Sequence, residues 1–215
     1  MVMFVTKKEM VYEGLKKQIL DGELKPGDKL VISKIASVYQ VSDIPVREAL
    51  QKMEKEGLVF SKPHVGSIVA PMSKKEIINI FQIRASLEGL ATRLAIPNIP
   101  KHVIDELCAM VDDEVNYISN GDTEGYKQSN YVFHTRIYQY ADNERLYEMI
   151  IDLWDNTKRY PSPFTKKSNM QASHDEHLEL IKMIKAGDAA RAEAMEIVHK
   201  QRAMEAILLL IEQQD

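Results

Sequence analysis

"VSDIPVREAL", residues 41–50, places a proline in the opening turn of a short amphipathic helix. Ser42 takes the N-cap position, and Pro45 is tolerated because first-turn N–H groups have no partner within a helix. Val46, Ala49, Leu50 and Met53 follow the i, i+3, i+4, i+7 rule and predict one buried stripe. Asp43, Ile44, Arg47 and Gln51 fall on the other side. What that second face touches decides both fold and function.

Outward from this helix the punctuation is regular. Residues 6–21 read as a helix stopped by Gly22, Pro26-Gly27 marks a turn, and a brief helix covers 33–38. The quoted helix runs from 42 to Gly57. "LVFSKPHVGSIVAP", residues 58–71, alternates apolar and polar residues around a Pro/Gly tip and predicts a two-stranded hairpin. Helix, turn, helix, turn, helix, hairpin is the order of a winged helix-turn-helix. Past Pro71 only long helices follow. Ser73 and Glu76 form a capping box opening a helix to about Ala95. Further helices are expected at about 101–119, 123–141, 144–160, 170–186 and 188–213, separated by Gly-Asp, Asp-Asn and Pro signals. The expectation is a mainly α protein: a winged helix-turn-helix domain over 1–72, then an all-α bundle of about six helices over 73–215.

Composition narrows the class. An apolar fraction of 45% and a charged fraction of 28% suit a globular chain. No apolar run reaches the roughly 18 residues a membrane span needs, and no signal-peptide pattern opens the sequence, so a cytoplasmic protein without membrane partners is expected. The single cysteine, Cys108, excludes an internal disulfide and is expected in the core. Residues 1–73 carry 11 Lys+Arg against 9 Asp+Glu, the remainder 17 against 23, so the charge changes sign at the expected boundary.

A winged helix-turn-helix sets its third helix in the DNA major groove and its wing against an adjacent groove or the backbone. Arg47 is then the first candidate for guanine O6/N7 or a phosphate, with Asp43, Ile44 and Gln51 beside it on the same face. Ser42 and Lys34 are candidates for phosphate oxygens, joined by Lys52, Lys62 and the wing residues His64 and Gly66. The alternative is that these are solvated charges on a small helical subdomain.

In the second region His177 precedes Gly187 by 10 residues and His199 follows Asp188 by 11, which is about 15 Å and 16.5 Å of helix. Two helices folded back at Gly187-Asp188 bring these imidazoles to one height. Asn130 and His134 share another helix face at i, i+4. Neutral imidazoles converging from three helices suit Zn, Ni or Mn, and the alternative is a hydrogen-bonded polar core. His174, one turn from His177, is expected to be exposed. Arg84 interrupts the stripe Ile77, Phe81, Glu88, Ala91: it either faces a carboxylate ligand or is neutralised by Glu88 four residues on. Arg159 and Trp154 are further effector candidates.

"GELKPGDKL" (22–30), "PVREALQKMEKEGLV" (45–59) and "HVGSIVAPMS" (64–73) resemble the DNA-binding domain of the GntR family of bacterial transcription regulators. "IFQIRASLEGLATRLAI" (80–96), "FHTRIYQYADNERL" (133–146) and "EHLELIKMIKAGDAARAEAMEIVH" (176–199) resemble the FCD-type effector domain of its FadR subfamily. The resemblance implies a homodimer on a palindromic double-stranded operator, usually a repressor, modulated by a small carboxylate. It also brings Asn130 and His134 to His177 and His199 around a divalent transition metal. Two positions depart from the family: Asp43 stands where an arginine is usual, and Asn130 where metal-binding members carry aspartate, which implies weaker metal binding. A metal-dependent hydrolase built on the three histidines is the alternative function, although no HExxH motif is present. A purely structural helical protein is disfavoured by the winged module.

Overall fold

The computed structural model describes residues 6–71 and 73–213, in two compact units that part between Ser73 and Lys74. Residues 1–5, Met72 and residues 214–215, which the expected domain ranges include, lie outside the described residues.

The first unit comprises α1 (Lys7–Leu20), β1 (Lys29–Leu30), α2 (Ile32–Tyr39), α3 (Asp43–Lys55), β2 (Val59–Lys62) and β3 (Gly66–Val69). A reciprocal capping box opens α1: the Thr6 hydroxyl accepts from Glu9 N–H, and the Glu9 carboxylate accepts from Thr6 N–H. Gln40, in the left-handed region at φ 53°, closes α2 and turns the chain into α3. The stripe Val46, Ala49, Leu50 and Met53 is buried and packs with Val11, Leu15 and Ile19 of α1. β1 adds a third strand to the expected hairpin, giving the antiparallel order β1-β3-β2 with Phe60 opposite Ile68. Two residues are too few to show a period of two, which is why the sequence did not reveal β1.

The second unit is helical: α4 (Lys74–Ala95), α5 (Lys101–Asn120), α6 (Thr123–Tyr138), α7 (Glu144–Thr157), α8 (Lys167–Ala186) and α9 (Ala189–Glu212). Its core gathers Leu107 and Val111 of α5, Phe133 and Ile137 of α6, Ile150 of α7, and Leu180 and Ile184 of α8. Cys108 is half-buried against this core rather than inside it, correcting the expectation. α4 lies closely along α9 at Gly89, where a Cβ would stand 3.0 Å from Ile197 Cγ1 and 3.3 Å from the Glu193 carbonyl. Gly187, at φ 69°, ends α8, and the Asp188 carboxylate accepts from Arg191 N–H to start α9. That connection, a left-handed C-cap followed at once by an N-cap, turns α9 back along α8. No helix among the described residues is long and apolar enough to cross a membrane.

Candidate functional site

The exposed face of α3 is assembled from the residues the buried stripe leaves over. Ser42 holds the extended N-cap backbone at φ −77°, ψ 170°, yet its side chain makes no capping bond. Asp43, Ile44, Arg47 and Gln51 are exposed, Ile44 to 68%, as is Lys34 on α2. None of the five side chains makes a hydrogen bond or ion pair with another described residue. The wing tip is closed by Val65 N–H donating to the Lys62 carbonyl (3.1 Å), with His64 at φ 63° and Gly66 at φ 100°. Glu54 of α3 accepts from Ser61 N–H (2.9 Å) and fixes the wing to the helix. Lys52, a sequence candidate for a DNA phosphate, is exposed and sits 3.6 Å from the centre of the Tyr12 ring.

In the helical unit His134 of α6, His177 of α8 and His199 of α9 meet. His134 Nε2 lies 3.1 Å from His199 Nε2 and 3.2 Å from His177 Nε2, and all three imidazoles are buried. Each opposite nitrogen is held by a carboxylate. His177 Nδ1 lies 2.7 Å from Glu114, His199 Nδ1 2.6 Å from Glu176 and His134 Nδ1 3.2 Å from Glu196. An imidazole donating Nδ1–H to a carboxylate keeps its lone pair on Nε2. Three such lone pairs turned on one another repel unless a cation lies between them. Burial holds the His134 and His199 pKa values well below the ordinary imidazole value, reinforced by the Lys200 ammonium and the neighbouring rings. Contrary to the sequence expectation, His174 is buried and stands 3.0 Å from the second oxygen of Glu114. Asn130, one turn before His134, is buried with its Oδ1 lacking a hydrogen-bond partner.

Beside the histidines lies a cavity of about 220 Å³ lined by Arg84, Asn130, Trp154, His199, Lys200 and Arg202 among others. Arg84 is 4% exposed: its Nε donates to Glu88 (2.7 Å), the neutralising partner the sequence offered, and it also walls the cavity 4.3 Å from the Trp154 ring. Burial pushes the Glu88 carboxyl up, but Arg84 and Lys200 outweigh it and hold the pKa at about 2. Lys200 bridges Glu88 (3.1 Å) and Glu196 (2.9 Å), and the Tyr138 hydroxyl sits between the same two carboxylates. One buried chain, Arg84–Glu88–Lys200–Glu196–His134, thus joins the cavity wall to the histidine cluster. Trp154 Nε1 also lacks a partner. Arg159 is not a lining residue; its guanidinium donates to Glu76 (2.6 Å) and lies against Tyr160.

Sequence reasoning missed Glu114, Glu176, Glu196, Lys200 and Arg202. A signal for two of them was present: Glu196 and Lys200 interrupt the α9 stripe Ala192, His199, Ile207, Ile211 as Arg84 interrupts that of α4.

Residues 7–69 match the family described as bacterial regulatory proteins, gntR family, and residues 79–202 match the FCD domain. A Bacillus subtilis HTH-type transcriptional regulator, YdhC, is 30% identical over 141 residues, 65% of this chain but only 62% of YdhC. The Escherichia coli HTH-type transcriptional repressor GlaR is 29% identical over 84% of this chain and 86% of its own length. The structure of E. coli McbR/YncC superposes with a TM-score of 0.70 at 25% identity, covering 99% of this chain and 100% of McbR.

Proposed function

The chain belongs to the GntR family of bacterial transcription regulators, in its FCD-containing, FadR-like branch, and from that premise we propose a metal-dependent, effector-responsive repressor. It is a DNA-binding regulator and not an enzyme, so the hydrolase alternative has no support among the matched families and relatives. In the proposed arrangement a homodimer presents two winged domains to a two-fold symmetric operator. Arg47, Asp43, Ile44 and Gln51 face base edges, while Lys34, Ser42, His64 and Gly66 lie along the backbone.

The observation that carries the metal reading is the convergence of three Nε2 atoms whose Nδ1 partners are all carboxylates. The donor set fits a divalent transition ion such as Zn, Ni or Mn, held by His134, His177 and His199, with the orphaned Asn130 Oδ1 as the adjacent oxygen donor. An ion held this way leaves coordination positions to which a small carboxylate can bind. The cavity supports that effector through Arg84, a cation held in place by Glu88, and through the unpaired Trp154 N–H. Arg159, tied to Glu76, supports the wall from behind rather than as a contact.

The test is a metal titration of the intact, chelator-treated chain, followed by a gel-shift titration with operator DNA in the presence and absence of small carboxylates. Uptake of one ion per chain, lost in His177→Ala, is expected, with carboxylate-dependent release of DNA. No uptake by the wild type overturns the metal reading, and carboxylate-insensitive DNA binding overturns the effector reading.

A further inference from the structure

Arg47, the candidate for one guanine, leaves the rest of a half-site unread, and its neighbours Asp43 and Ile44 raise the sharper question. On a helix advancing 100° per residue, Asp43, Ile44, Arg47 and Gln51 lie within an arc of about 100°, and the row from 43 to 51 is about 12 Å long. That is the length of three to four base steps at 3.4 Å each. Asp43 is exposed and has no cation or hydrogen-bond donor facing it among the described residues. Ser42, which precedes it, leaves its own hydroxyl uncommitted. Ile44 exposes 68% of its surface at the same end, with no apolar neighbour to cover it.

An unpaired carboxylate and a bare isoleucine are both unfavourable against phosphates: the first is repelled, the second gains nothing. Against base edges each has one good partner. A carboxylate only accepts, so both major-groove atoms of guanine and thymine O4 repel it, and adenine sets an acceptor N7 beside its one donor. Cytosine N4 is a donor with no acceptor on its own edge. Isoleucine has no hydrogen bond to offer, and the thymine C5-methyl is the one apolar group in the groove.

Resting on the DNA-binding reading above, we infer that Asp43 and Ile44 are specificity-determining residues. Asp43 selects a cytosine and Ile44 a thymine methyl, close to the guanine read by Arg47 in each operator half-site. Asp43 therefore works by exclusion as much as by attraction, since it turns away guanine and thymine at its position. Arg47 supplies the charge that brings the helix to the duplex, and Asp43 rejects the wrong sequences.

The experiment is selection from a random duplex pool by the intact chain, with wild type compared with Asp43→Ala, Asp43→Asn and Ile44→Ala, then titration of the selected sites. The wild type should enrich one cytosine per half-site, and Asp43→Ala should lose that preference by about fivefold or more per half-site while the other positions keep theirs. Asp43→Asn, whose amide both donates and accepts, should turn the preference toward adenine. Replacing the selected thymine by deoxyuridine, which lacks only the methyl, should weaken wild-type binding and leave Ile44→Ala indifferent. The inference is overturned if the variants select the wild-type motif, or if Asp43→Ala tightens all duplexes equally, as a carboxylate facing phosphates would. If the wild type shows no salt-dependent retention of any duplex, the DNA-binding reading itself fails.

Discussion

α3 and α9 each carry polar residues where function is expected, and they treat them in opposite ways. On α3, the side chains of Asp43, Arg47 and Gln51 stand in solvent without partners among the described residues. On α9, Glu196, His199 and Lys200 are buried, and each is held by at least one opposite or complementary group. A surface that meets a large, charged, hydrated partner can leave its groups in water until contact. A site for a small ion or ligand must have its desolvation cost offset within the fold beforehand, because burying a charge without a partner costs several kcal/mol. Substitutions on α9 should therefore be read out in stability, and substitutions on α3 in binding.

The largest effect expected from this contrast is at Lys200. Lys200→Met keeps the apolar stem but leaves Glu88 and Glu196 with one cation, Arg84, between them. Removing one partner of a buried pair typically costs about 3–5 kcal/mol, and denaturant unfolding of the intact chain should show a loss of this order. Adding Glu88→Gln to the same chain should restore part of it. If Lys200→Met alone is neutral, the ammonium is not what balances the two carboxylates, and the contrast between the helices weakens.

Arg47→Ala is the reverse case. It should leave the unfolding curve unchanged and weaken operator binding by roughly 1–3 kcal/mol per half-site, lowered twice in a dimer. A gel shift shows the loss directly. An unfolding midpoint that moves with Arg47→Ala would mean that α3 has a structural partner on this face.

Metal tests whether the balance on α9 and its neighbours is complete without an ion. At about one hundred times its Kd a metal stabilises the fold by about 2.7 kcal/mol, and His177→Ala should abolish the gain. Asn130→Asp should tighten binding by restoring a carboxylate to the site. If calorimetry shows unchanged affinity for Asn130→Asp while the histidine variants lose it, residue 130 does not touch the ion.

The parts of this molecule that were legible in the sequence are those set by local periodicity and punctuation. The α3 stripe, the wing and the six long helices follow from spacing and from Gly, Pro and Asp stops. The meeting of His177 and His199 follows from equal distances to one turn. The carboxylates behind the imidazoles were not legible, because Glu114 reaches His177 from α5, 63 residues away, and no local pattern encodes that approach. Lys200 was overlooked for a different reason: a lysine at a stripe position is ordinarily a snorkelling side chain, and only the two buried carboxylates across from it make it an interior cation. Arg159, an effector candidate by sequence, pairs with Glu76 of α4, 83 residues away, another approach that no local pattern encodes.

The smallest effect is also the one that distinguishes the two helices without any mutation. In metal-free protein, His134 and His199 have pKa values well below the ordinary 6.5, first because burial disfavours the cation and then because Lys200 adds its own charge. In the unfolded chain both return to about 6.5, so below that pH the unfolded state binds protons that the folded state does not. Their share of stability is complete only well above pH 6.5 and falls as the pH falls, by at most about 1.4 kcal/mol for the two rings together between pH 7 and pH 6. Glu88 does not contribute in this window. Its pKa, lowered from 4.5 to about 2, makes its share of stability disappear only as the pH drops below 4.5. Denaturant melts in chelator at pH 7, 6.5 and 6 measure the slope, and Arg47→Ala should reproduce the wild-type slope because α3 lies outside this network. Stability that instead rises as the pH falls from 7 to 6 would mean that the imidazoles enter the fold as cations against Glu176 and Glu196. In that state Nε2 carries a proton, and the three nitrogens do not form a metal site.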